Sequence, residues 1–147
     1  PPGLPVELWG VDLSAGMVSV LRRRTRERPD PDLRLLLADA HALPFPDARF
    51  DRVFHVGALG SYRDPARALA EMARVAKPGT PIVAVDEQLE TARPVNAFQR
   101  AMFRLVTFYD RRPHAPIEAL PPGAWDVEAA QISRFFYCLR FRTGGRA

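Results

Sequence analysis

The chain has 147 residues, 47% hydrophobic and 26% charged, with a net charge of +4; a chain of this size buries roughly 70% of its unfolded surface, enough for one core and a single domain over 1–147. A single cysteine, Cys138, excludes an internal disulfide framework and a multi-cysteine metal centre, and no apolar run approaches the roughly 20 residues of a membrane span. Lys77 is the one lysine among 21 basic residues and the arginines are scattered, so a coding bias toward arginine explains the charge more simply than a nucleic-acid surface.

Short, almost continuously apolar runs at Val6–Val11, Leu33–Ala38, Val53–Val56 and Pro81–Val85 predict parallel strands covered on both faces. Between the first two, Ser14 is an N-cap for a helix reaching Arg28, with Met17, Val20 and Leu21 on its inward stripe. Between the third and fourth, Asp64 caps and Pro65 opens a helix whose buried stripe is Leu69, Met72, Ala73 and Ala76. Lys77-Pro78-Gly79 stops it. A third helix is expected over Pro94–Tyr109, with Phe98, Met102, Leu105, Val106 and Tyr109 on one face. A proline-rich irregular loop, Asp110–Gly123, follows, and then two strands, Trp125–Ile132 and Phe135–Phe141, form an antiparallel pair. Cys138 reads as a buried thiol of the second of these, and Thr143–Ala147 as a frayed tail. Alternation of strand and helix predicts an α/β, doubly wound, mostly parallel sheet.

The acids after the strands carry the chemistry. Asp12 follows the first apolar run, where a carboxylate accepts hydrogen bonds from both hydroxyls of a ribose; the competing reading is a helix-capping Asp beside Ser14. Leu13 and Met17 would then lie against an adenine, although Met17 serves a core equally well. His55 at the end of the Val53–Val56 run is a weak candidate for a general base, against a structural hydrogen bond. Tyr62 and the acids Asp86-Glu87 are candidates for lining an acceptor site, and Phe98 and Met102 for the apolar side of it.

Asp12, the string D-A-x-x-L-P-F-x-x-x-x-F-D over Asp39–Asp51, and ALAEMARVAKPG over Ala68–Gly79 together resemble the class I S-adenosylmethionine-dependent methyltransferases, in the branch of the ubiquinone and menaquinone biosynthesis enzymes. The resemblance implies a Rossmann-like fold and S-adenosyl-L-methionine as cofactor. It implies that Asp39 accepts from the adenine amino group, that the backbone N–H of Ala40 donates to the ring, and that His55 lies beside the cofactor. It also implies a first strand and glycine-rich turn ahead of Pro1, so that the chain is expected to lack them and to expose strand edges open to self-association. The Asn/Asp-Pro-Pro-aromatic motif of amino-methylating DNA enzymes and the Pro-Cys of cytosine-C5 enzymes are absent after the Val53–Val56 run. The expectation is methyl transfer to a small, partly apolar molecule. The alternatives are a non-catalytic binding module of the same fold and a nicotinamide-dependent dehydrogenase. No metal ligand set is evident, and with no signal-peptide layout a cytoplasmic location is expected.

Overall fold

A computed structural model of the protein describes residues 6–27, 32–107 and 113–145. The chain divides into two compact units, 1–44 and 45–147.

The first unit is β1 (Leu8–Asp12), α1 (Ala15–Glu27) and β2 (Leu33–Leu37). The strands pair in parallel, from Leu8 opposite Leu33 to Asp12 opposite Leu37, a pairing that a helical crossover makes possible and a tight turn does not. A Cβ on Gly10 would come within 2.8 Å of Leu35 Cδ2, so the bare backbone lets the neighbouring strand's leucine lie close. Ser14 closes the first turn of α1: its Oγ accepts from the Met17 amide at 3.3 Å and its carbonyl from the Val18 amide at 3.0 Å. Of the expected inward stripe, Val20 and Leu21 are half-buried, whereas Met17 is not. Val18 is buried, with Leu21 and Thr25 half-buried one and two turns on, whereas Met17 is 51% exposed. The helix packs on β1 and β2, and Val18 rather than Met17 is the residue it buries. The helix end that is all arginine in sequence remains in solvent.

The second unit contains β3 (Val53–Val56), α2 (Pro65–Val75), β4 (Ile82–Glu87), α3 (Ala97–Val106), β5 (Trp125–Gln131) and β6 (Phe136–Arg142). Its sheet runs β3-β4-β6-β5, with β3 parallel to β4 and both β6 pairings antiparallel. Period-two alternation buries one face: Ile82, Ala84 and Asp86 of β4 register with Phe141, Leu139 and Tyr137 of β6, and all six are buried. Ala68, Leu69, Met72, Val75 and Ala76 are the buried residues from α2 and its C-cap, with Ala73 half-buried. Asp64 Oδ1 caps the helix through the Arg67 amide at 3.0 Å, and Pro65 is its first residue. Arg74 grips Glu71 with two bonds (2.7 and 2.8 Å) and reaches the Phe45 carbonyl and Asp47, both at 2.8 Å, tying the end of α2 to the turn before β3.

In α3 the expected stripe is corrected. Phe98, Met102, Leu105 and Val106 are all exposed, and Tyr109 lies outside the described residues. The inward line is Gln99, Phe103 and Thr107, spaced by four, with Phe103 stacked on Phe135 at 5.8 Å. The helix starts at an Asn96–Gln99 capping box rather than at Pro94. In the segment after α3, Ala115 N–H donates to Gln88 Oε1 at 2.9 Å and Pro116 is buried, and a short 3-10 turn (Ile117–Ala119) packs on α2. Cys138 is half-buried. Thr143 and Gly144 accept from the Gly79 amide and the Trp125 indole, at 2.9 and 3.1 Å. Alternating strands and helices, parallel pairs and an antiparallel closing hairpin make this a Rossmann-like α/β fold. No helix among the described residues is long and apolar enough to cross a membrane.

Candidate functional site

Of the residues singled out in the sequence, Asp12, Leu13, Met17, Asp39 and Ala40 belong to the first unit, and His55, Tyr62, Glu87, Phe98 and Met102 to the second. In the first unit, Asp12 is the last residue of β1 and Asp39 lies two residues beyond the end of the adjacent, parallel β2. Both carboxylates therefore follow the same, C-terminal ends of a strand pair, where open α/β sheets bind their ligands. Asp12 Oδ1 accepts from the Ser14 amide at 2.7 Å, while Oδ2 has no protein partner among the described residues. Leu13, 70% exposed, and Met17 stand open beside it. Asp39 Oδ1 accepts from the His41 amide at 2.8 Å and lies 2.6 Å from His41 Nδ1, so His41 braces Asp39. Ala40 is half-buried.

In the second unit the turn after β3 is the centre of interest. Gly57 (φ 75°) and Ala58 (φ 64°) are both left-handed, and a 3-10 turn over Leu59–Ser61 follows. The Tyr62 ring meets the His55 ring edge-on, with centroids 5.4 Å apart. Burial pushes the His55 imidazole below its ordinary value, opposed by a hydrogen bond with the Gly57 backbone. Its Nε2 is buried and has no hydrogen-bond partner among the described residues. Asp86, 2% exposed, spans from β4 to this turn: Oδ2 accepts from the Gly60 amide at 3.0 Å and Oδ1 from the Glu87 amide at 2.9 Å. Glu87 is half-buried at the end of β4. Phe98 and Met102, one turn apart on α3, are 72% and 40% exposed. A cavity of about 340 Å³ opens beside the turn, lined by Leu59, Gly60 and Arg63 on one side and by His114, Pro116 and Glu118 on the other. His114 Nε2 lies 2.9 Å from Glu118 Oε1. Sequence reasoning passed over this lining, because no periodicity or motif brings residues 60 and 118 together.

The methyltransferase-domain family matches residues 3–84 of the chain. Over 89 residues it is 38% identical to a demethylmenaquinone methyltransferase of Renibacterium salmoninarum, covering 60% of this chain and 35% of that protein. In structure it is similar to phosphoethanolamine N-methyltransferase 2 of Haemonchus contortus in complex with S-adenosyl-L-methionine, with a TM-score of 0.74 at 14% identity, covering 95% of this chain and 44% of that one. It is also similar to the [4+2]-cyclase SpnF, with a TM-score of 0.71 at 21% identity, covering 95% and 67%. Likeness at such identities speaks to the fold alone. The chain spans about a third of the length of the demethylmenaquinone methyltransferases it matches. A family match over more than half of the chain, running through both strand-end acids and the turn after β3, makes this protein a member of the class I S-adenosylmethionine-dependent methyltransferase family, related to the menaquinone methyltransferases.

Proposed function

We propose that the chain belongs to an enzyme that transfers the methyl group of S-adenosyl-L-methionine to a small, partly apolar molecule, in the quinone-biosynthesis branch of the family. The observation that carries the cofactor assignment is Asp12 Oδ2, without a protein partner among the described residues, at the C-terminal end of β1 beside the exposed Leu13. A carboxylate with one oxygen held by its own turn and the other open suits a ribose diol, whose two hydroxyls are donors. Asp39, at the same end of the paired strand, is assigned to the adenine amino group, with Ala40 N–H donating to the ring and Leu13 and Met17 giving apolar contact. When bound, the cofactor supplies an activated methyl group on a sulfonium, so the protein's task is to align the partners and exclude water.

The acceptor is assigned to the second unit. The exposed apolar pair Phe98 and Met102 on α3 supports an acceptor with an apolar part. Tyr62, on the turn after β3, and Glu87 are proposed to border it. His55, whose imidazole burial holds below its ordinary value, is proposed to take the proton of an acceptor that must lose one. The test is methyl transfer from labelled cofactor, offered quinol precursors, phenols, amines and nucleic acid in parallel. Label in the quinol or phenol pool supports the reading. Label in the nucleic-acid pool alone refutes it, and label nowhere despite cofactor binding favours a non-catalytic module.

A further inference from the structure

Asp86 is the most deeply buried acid among the described residues, and no lysine or arginine there pairs with it. A carboxylate without a counter-ion stays in such a place only if its oxygens are otherwise satisfied. Here each oxygen takes one backbone N–H, Gly60 on one side and Glu87 on the other. An asparagine of the same shape satisfies one of these amides and turns its own NH₂ group against the other, so the two-amide arrangement is specific to an acid. The Glu87 bond is local, whereas the Gly60 bond joins residues 26 apart and reaches from β4 into the turn after β3.

That turn needs holding. Two consecutive residues are left-handed, and Ala58, unlike Gly57, carries a Cβ that disfavours the conformation. The Gly57 amide, bonded to the Val85 carbonyl at 2.8 Å, pins its start, and the fully buried Leu59 anchors its middle. Asp86 fixes the next residue, Gly60, just before the chain presents Tyr62 to the His55 ring and Arg63 to the cavity. We propose that Asp86 is a positioning residue of the acceptor side: through the Gly60 amide it sets the 57–62 turn, and with it the His55–Tyr62 contact and the cavity wall formed by Leu59 and Gly60. The proposal rests on the methyl-transfer reading for its catalytic consequence, though not for its structural one.

The full chain is studied by NMR as wild type and as Asp86→Asn, with a thermal scan to check that the variant is folded. In the wild type the Gly60 amide is expected to be protected from exchange. In Asp86→Asn its exchange accelerates about tenfold or more, and the His55 ring titrates closer to the ordinary imidazole value as its cover loosens. A wild-type Gly60 amide that exchanges like a solvated one overturns the proposal whatever the variant does. So does a folded variant in which neither Gly60 exchange nor the His55 titration moves. With an active enzyme, Asp86→Asn lowers kcat about tenfold and leaves cofactor affinity within about threefold; an unchanged kcat contradicts the positioning role. Absence of methyl transfer by the wild type counts against the functional reading alone, since the two NMR observations still decide the role of Asp86.

Discussion

At Asp12 the geometry leaves room for both readings of one residue. As a cap-like acid it serves the Ser14 amide, and the proposed ribose role would use the oxygen left over, so the two roles do not compete. The acid after an apolar run was legible because strand ends in such sheets are where ligands bind. The brace between Asp39 and His41 was not, because the sequence gives spacing but no side-chain direction. His55 carries a pH prediction. Its folded-state pKa lies below the unfolded 6.5, so the unfolded chain binds more protons just below that value. Stability is expected to rise as pH increases through this window and to lose that contribution to the slope in His55→Gln. Urea denaturation of both proteins from pH 5 to 7.5 measures it; parallel slopes contradict the assigned burial.

Among the elements, α2 was the most legible, because its cap, first-turn proline, apolar stripe and stop signal all agree. Leu69 is fully buried, and Leu69→Ala is expected to cost about 3 kcal/mol in equilibrium unfolding; a loss below about 1 kcal/mol would mean that the site collapses or is not core. The third helix was misread because apolar residues surround most of it. Phe98, Met102, Leu105 and Val106 outnumber the inward Phe103, and composition alone cannot choose the face. Its start was readable in Asn96-x-x-Gln99, whose side chains satisfy each other's backbone amides. Asn96→Ala is expected to cost about 1 kcal/mol, and Phe98→Ser, on the exposed face, almost nothing. Thermal denaturation of the two variants separates them, and an equal loss would put Phe98 back in the core.

At the scale of the whole molecule, burial is uneven. Val18 is the one buried residue among those described in the first unit, whereas the second holds all of the fully buried large side chains. Amides of β4 and β6, such as those of Ala84 and Leu139, are therefore expected to exchange slowest, and those of β1 and β2 faster by about tenfold or more. Uniform protection, read by hydrogen exchange and mass spectrometry, would show that the units unfold as one. Calorimetric titration of the chain with S-adenosylhomocysteine, as wild type and as Asp12→Ala, tests the adenosine assignment. The predicted result is saturable binding that weakens about tenfold or more in the variant, as expected for the loss of roughly 1.5 kcal/mol of hydrogen bonding to the ribose, with no binding of NADH. Equal affinity of the two proteins, or tighter binding of NADH, would contradict it.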